Sequence, residues 1–279
     1  MIIGIDLGGT QLRAGWVQED VLSSIRSEKI NAKGSTDEIL QQLFSFIDAM
    51  ITPGVEGIGM GVPGLVDAST GLVYDVVNIP AWKEIPLQYK LQERYKLPVV
   101  VDNDANCFAL GEFYFGKGKG FHSMVGVTLG TGLGSGIILN NKLYTGANGG
   151  AGEFGAADYL DHSYEYYASG QFFQNIYGID GETVFKQASE GQIKALNMYA
   201  QMGEHLGKAL KSILYALDVE LIVFGGSVRK AYPFFNKTMW QQLNTFAYKK
   251  CIDRLQVHVS ELENSGLLGA AALVMNRTA

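Results

Sequence analysis

Met1-Ile2-Ile3-Gly4-Ile5-Asp6-Leu7-Gly8-Gly9-Thr10 opens the chain, an apolar run that ends in an acid, two glycines and a hydroxyl. A continuous apolar run bounded by glycines suits a strand covered on both faces, so the stretch is predicted to be a buried strand entering a tight turn. Adjacent glycines let backbone N–H groups come up against a phosphate, and Thr10 adds a donor. Asp6, at the strand's carboxyl end, is placed to hold a hydrated divalent cation, since Mg²⁺ keeps several waters and takes one or two carboxylates. For this stretch alone, an ordinary hairpin with an acid at its tip is the competing reading.

Met124-Val125-Gly126-Val127-Thr128-Leu129-Gly130-Thr131-Gly132-Leu133-Gly134-Ser135-Gly136 repeats the design of apolar strand, glycine turn, threonine and returning strand. Two such hairpins, one early in each half, point to a duplicated domain gripping one polyphosphate from both sides, and so to nucleotide binding.

Asp6-Leu7-Gly8-Gly9-Thr10, Thr128-Leu129-Gly130-Thr131-Gly132 and Phe224-Gly225-Gly226-Ser227 resemble the two phosphate motifs and the adenosine motif of the sugar kinase, Hsp70 and actin superfamily. Within it, Val101-Asp102-Asn103-Asp104-Ala105-Asn106 and Ala151-Gly152-Glu153-Phe154-Gly155 resemble the ROK family of bacterial sugar kinases and repressors. The motifs stand in family order from residue 2 to about Val274. The resemblance implies an α/β, two-lobed, actin-like ATPase (ribonuclease H-like) fold with a duplicated mixed β-sheet core flanked by helices. Residues 1–116 would form a small lobe on the sugar and first phosphate side, and 117–263 a larger lobe on the second phosphate and adenosine side. Residues 264–279 would pack back on the first lobe. ATP and Mg²⁺, a small-molecule sugar and a homodimer are implied as cosubstrate, cofactor, substrate and assembly.

Composition sets the frame for this. At 279 residues and 47% hydrophobic, the chain can bury a core large enough for two lobes. A net charge of −6 without a basic cluster argues against nucleic acid as a main partner. No apolar stretch reaches the roughly 18 residues of a membrane span, and no basic flank or cleavage site of a signal peptide begins the chain, so a cytoplasmic protein is expected. Cys107 and Cys251 are expected as core thiols, not as a disulfide framework.

Further strands are predicted at Leu12 to Trp16 and Val21 to Ile30, then a helix over Asp37 to Ile51 capped by Thr36. Gly59-Met60-Gly61-Val62-Pro63-Gly64 matches a dinucleotide-binding pattern, but polar turn residues Val66 to Gly71 follow where that fingerprint needs a helix. A strand at Val73 to Val77, a helix at Leu87 to Tyr95, a strand at Pro98 to Val101 and a helix at Ala105 to Phe115 come next. Gly116 to Gly120 is the expected crossing between lobes, and Asn140 to Gly155 an irregular loop. Helices are predicted from Tyr166, at Thr183 to Glu190, over Gln192 to Leu217 with an apolar stripe beginning at Ile193, and at Pro233 to Lys249. Strands at Val219 to Phe224 and Leu255 to Val259 and a helix at Ser265 to Asn276 complete the chain.

A kinase positions a hydroxyl in line with the γ-phosphoryl, neutralises phosphate charge and excludes water. Gly8, Gly9, Thr10 and Gln11, then Gly130, Thr131 and Gly132, are the candidate phosphate contacts, with Gly225 and Gly226 at the adenosine. Asp104 would take the hydroxyl proton, and Asp6 would hold Mg²⁺ through water. Gly64, Asn78, Asn103, Glu153 and Glu165 would contact the sugar, as the resemblance implies. For Asn78 a turn asparagine, for Asp104 a helix cap and for Glu165 a surface charge are the competing readings. Typical members continue the Glu-x-Gly motif with a histidine and a loop of three cysteines that bind a structural zinc. Here Ala156 stands in the histidine's place, the cysteine loop is missing, and His162 has no nearby cysteine. Gln11 also departs from the lysine common there.

The reading is an ATP-dependent kinase acting on a hydroxyl, the 6-hydroxyl by resemblance, of a hexose such as glucose. N-acetylmannosamine, N-acetylglucosamine, fructose or β-glucosides are alternative acceptors. A non-catalytic sugar-sensing regulator is the alternative of another class; family repressors carry an N-terminal helix-turn-helix, and this chain opens directly on the first strand. The expected absence of zinc has a direct check: elemental analysis of the purified protein should find no stoichiometric zinc, and one zinc per chain would overturn the expectation.

Overall fold

A computed structural model describes residues 1–76 and 78–275; the predicted strand end at Val77 and helix end at Asn276 lie outside them, as do residues 277–279. The first half runs β1 (Ile2–Leu7), β2 (Gln11–Gln18), β3 (Val21–Lys29), α1 (Thr36–Asp48), β4 (Gly57–Val62), β5 (Leu65–Asp67), β6 (Leu72–Tyr74), β7 (Glu84–Ile85), α2 (Leu87–Tyr95), β8 (Val99–Asn103) and α3 (Asp104–Phe115). The second half begins with β9 (Met124–Leu129), β10 (Leu133–Leu139), β11 (Lys142–Leu143), β12 (Asp158–Tyr159) and β13 (His162–Ser163). It continues through α4 (Tyr164–Ala168), α5 (Phe172–Tyr177), α6 (Gly181–Ser189), α7 (Ile193–Leu217), β14 (Leu221–Gly225), α8 (Tyr232–Leu243), α9 (Lys249–Arg254), β15 (Gln256–Val259) and α10 (Ser265–Met275).

Two five-stranded sheets share one topology, β3-β2-β1-β4-β8 and β11-β10-β9-β14-β15. In each, an antiparallel hairpin supplies the central strand and two parallel strands extend it. The duplicated mixed core inferred from the paired hairpins is thus present. Register then aligns the chemistry: Asp6 lies opposite Gly61 and Gly61 opposite Asp102, while Gly225 lies opposite Thr128.

Apolar side chains of the first sheet, α1 and α2 form one core, and those of the second sheet with α7 and α8 another. A third lies between them, where α3 and α10 pack together, Cys107 and Leu110 against Leu268 and Ala271. α10 rests on β1 and β4, and α3 on β9 and β10. Backbone approach here is so close that a Cβ on Gly111 would overlap the Ser265 carbonyl, and one on Gly269 the Cys107 carbonyl. Gly4 and Gly59 admit α10 to the first sheet in the same way.

Several boundaries differ from expectation for local reasons. Ser35, not Thr36, caps α1, in a reciprocal capping box with Glu38, and the helix stops at Asp48. Asn103, not Asp104, caps α3, accepting N–H bonds from Ala105 and Asn106. The polar stretch after Gly64 contains β5, paired with β6, and Asp67 closes their turn by accepting from Ser69 and Thr70. The single helix expected after Pro233 breaks at Asn244 and resumes as α9. Ile193 is exposed at the start of α7, and Cys251 is only partly buried. Among the described residues no helix is long and apolar enough to cross a membrane.

The Gly269 contact yields a stability prediction. Gly269→Ala forces a methyl into the Cys107 backbone and should cost about 1–3 kcal/mol, lowering the urea midpoint with little change in slope. Gly54→Ala, whose Cβ would only touch Met1 at 3.9 Å, is the control. Equal midpoints for the two variants would refute the close-packed crossing.

Candidate active site

Carboxyl ends of β1 and β8 carry the acids. Asp6 is the penultimate residue of β1, with Arg13 opposite it on β2. Burial raises the Asp6 carboxyl above its ordinary range, and the Arg13 guanidinium opposes that rise. Arg13 also donates to Asn264, just ahead of α10.

The β8–α3 junction fixes the next group. Asp102 accepts from the Asn103 N–H at 2.7 Å and from Asn106 Nδ2 at 2.8 Å. Asn103 Nδ2 donates to the Gly64 carbonyl at 3.0 Å, tying the junction to the loop after β4, where Gly64 sits at φ +115°. Asp104 is left as the first residue of α3, its Oδ1 accepting from Ala105 N–H at 2.8 Å. Asp104 reaches solvent through the cleft, while protein surrounds it at longer range. That surrounding, reinforced by the charges of Asp6 and Glu153 and resisted by the Ala105 N–H, raises its pKa to about 7.

Glu153 comes from the loop over β10. Gly152, at φ +98°, and Gly155 press against the Ser135 and Leu133 carbonyls where a side chain would clash, and Ser135 Oγ donates to the Gly152 carbonyl at 2.5 Å. Desolvation, then repulsion from Glu165, raises the Glu153 carboxyl. Glu165, on α4, accepts the Leu133 N–H at 2.9 Å, at the return of the second hairpin. Asn78 lies against Gly9 of the first turn. The structure therefore gathers Asp6, Asp104, Glu153 and Glu165 as an acidic chain across the cleft, with Asn103 and Gly64 joined beside it.

Seven of the nine nucleotide-side residues divide among three cavities, and Gly8 and Gly132 line none of these. Gly225 and Gly226 share one of 380 Å³ with Asp6, Arg13 and Arg229. Gly130 and Thr131 face a larger one of 740 Å³, walled by Phe173, Phe185 and Tyr199 and edged by Gln174, Asp180 and Lys230. Gly9, Thr10 and Gln11 open instead on a groove with Lys29, Asn31 and Lys33, apart from the second hairpin. Sequence reasoning missed the walls of the large cavity, because Phe173, Phe185 and Tyr199 come from three helices whose apolar spacing reads as packing. It also missed Lys29, which only the β2–β3 register sets opposite Gln11.

Shortly after Gly155 comes the short β12–β13 hairpin, covered by rings. Tyr159 stacks on Tyr164 at 4.4 Å, and its hydroxyl meets His205 Nδ1 at 3.1 Å. His162 stacks on Tyr166 at 3.9 Å.

A sequence profile of the ROK family matches residues 2–277. A glucokinase of Halalkalibacterium halodurans is 34% identical over 250 residues, covering 78% of this chain and 76% of that protein. The crystal structure of a ROK family glucokinase from Streptomyces griseus, in complex with glucose and AMPPNP, superposes with a TM-score of 0.83 at 29% identity, covering 99% of both chains. A xylose repressor of Caldicellulosiruptor bescii is 27% identical over 99% of this chain and 78% of its own length.

Asp104 makes stability depend on pH in a defined direction. The folded carboxyl holds its proton to about pH 7, whereas the ordinary value is 3.8. Between those values the native state binds more protons than the unfolded one, so this group makes stability fall as pH rises. Without nucleotide or divalent cation, Asp104→Asn should melt above the native protein near pH 8, the gap closing toward about pH 4. A variant that melts at or below the native temperature near pH 8 would contradict the shift.

Proposed function

The chain belongs to the ROK family, its profile matching residues 2–277, and we propose that this sugar kinase transfers the γ-phosphoryl of Mg-ATP to the 6-hydroxyl of a hexose such as glucose, with Asp104 as general base. One observation carries the assignment: Asp104, the first residue of α3 just past the end of β8, stands in a cleft beside Asp6 and Glu153, with a pKa near 7. A base titrating near neutrality can take the hydroxyl proton as the oxygen attacks and still be free of it at the start of the next turnover.

The remaining roles follow from what each group has left to offer. Asn103 spends its amide oxygen on the Ala105 and Asn106 N–H groups and one amide hydrogen on Gly64, so the other hydrogen can serve a sugar hydroxyl. Glu153, Glu165 and Asn78 would complete the sugar contacts, with Gly64 admitting the ring close to the backbone. Gly8 to Gln11 and Gly130 to Gly132 would hold the phosphates, and Gly225 and Gly226 the adenosine. The 740 Å³ cavity offers a base the faces of Phe173, Phe185 and Tyr199, with polar groups at its edge. Asp6 suits a divalent cation, because a cation would relieve both its burial and its repulsion of Asp104. Bound there through water, Mg²⁺ would neutralise phosphate charge.

We place the lobe boundary at residues 116 and 117, with 264–279 returning to the first lobe, in a cytoplasmic homodimer that takes a free sugar and no nucleic acid. The test is ADP release with Mg-ATP across glucose, mannose, fructose, the N-acetylhexosamines and β-glucosides. One sugar should stimulate turnover, and Asp104→Asn should lower kcat by roughly 10²–10⁴-fold while still binding that sugar. Unimpaired turnover by the variant would remove the base assignment. Sugar binding without turnover by the native chain would favour the sensing regulator.

A further inference from the structure

Glu165, a proposed sugar contact, also holds the hairpin on the nucleotide side. Its Oε2 accepts the Leu133 N–H at 2.9 Å and fills the space where a side chain at residue 132 would lie. The same segment holds the turn at two more points: Ser169 Oγ donates to the Thr131 carbonyl at 2.9 Å, and the Gly170 N–H to the Gly130 carbonyl at 2.8 Å. Gly130, Thr131 and Leu133 are therefore each tied to the segment from Glu165 to Gly170. On its other side Glu165 stands close enough to Glu153 to raise that carboxyl.

We propose that Glu165 is a positioning residue for the second phosphate hairpin, its Oε2 setting the Gly130–Leu133 turn that faces the nucleotide while Oε1 stays available on the sugar side. The inference rests on the kinase reading and deepens it. A hydrogen bond to a carboxylate is stronger than one to a neutral group, and a buried N–H left without an acceptor is disfavoured in proportion. Removing the carboxylate frees the Leu133 N–H and leaves the turn with two of its three ties. A glutamine keeps an acceptor oxygen for Leu133 but loses the charge.

Calorimetric titration with Mg-AMPPNP in the absence of sugar separates this role from a sugar contact. Glu165→Ala should weaken AMPPNP on the order of tenfold or more, and Glu165→Gln by less than about threefold. In turnover assays Glu165→Gln should then keep the native KM for ATP and show its defect in the KM for sugar. Gly132→Ala, whose methyl would displace the carboxylate, should copy the AMPPNP loss of Glu165→Ala without touching residue 165. AMPPNP affinity that is native in both Glu165→Ala and Gly132→Ala would overturn the positioning role and leave the kinase reading intact. A native chain that binds no AMPPNP would overturn both.

Discussion

The crossing of α3 and α10 is the contact on which the rest of the molecule depends. Each helix is laid on one sheet, and the two meet backbone to backbone at Gly111 and Gly269. Side chains of ordinary size would part the helices, and with them the sheets. Because α3 begins at the β8 junction and α10 begins beside Asp6, the same crossing sets the distance between the acids of the first sheet and the glycine turns of the second. A buried acid strengthens it: Glu112 accepts from Ser260 Oγ at 2.5 Å and from the Lys117 N–H at 3.1 Å. Those partners lie on the two segments that join the halves, and Lys117 Nζ meets Glu261 at 2.7 Å across the same pair. Both segments are thus tied to one buried side chain, and its loss would leave the Ser260 hydroxyl and the Lys117 N–H without that acceptor.

Around that frame the cleft concentrates like charge. Asp6, Asp104, Glu153 and Glu165 repel along the chain, and the Arg13 guanidinium opposes the rise at Asp6. Such a set is held together against its own repulsion, and raised carboxyl pKa values are the measure of that opposition. The ligands proposed above, a divalent cation and sugar hydroxyls, would relieve that repulsion. The fold supports the arrangement by local placement: Asp6 near the end of β1, Asp104 at the start of α3, Glu153 beside the close-packed Gly152, and Glu165 on the short helix α4.

Much of this was legible in the chain because it rests on local rules. Glycine after an apolar run marks a turn at a strand's end, so both hairpins, the β14 end and the β8–α3 junction could be found without any tertiary information. Competition between neighbours was harder: Ser35 and Thr36 are both capping residues, and only the Glu38 partner decides between them. The break at Asn244 has no proline or glycine to announce it. Least legible were the surfaces made by distant segments. The wall of the large cavity draws on α5, α6 and α7, and a phenylalanine lining a cavity has the same spacing as one filling a core.

The region from β12 to α4 shows how a short element can be held by aromatic packing. Glu165 sits on a helix of five residues, too short to be stable alone, so its orientation must come from what surrounds it. Rings supply that support. Tyr164 stacks on Tyr159 and its hydroxyl meets Ser212 on α7 at 2.9 Å, while His205, also on α7, meets the Tyr159 hydroxyl. Lys208 completes the cover 5.9 Å from the Tyr159 ring. Burial holds the His205 ring below its ordinary pKa. Aromatic pairs contribute about 0.5–1.5 kcal/mol each beyond their buried area, so a cluster of them can orient a short helix. The helix that carries Glu165 is therefore anchored to α7, and through Leu133 the hairpin inherits that anchor.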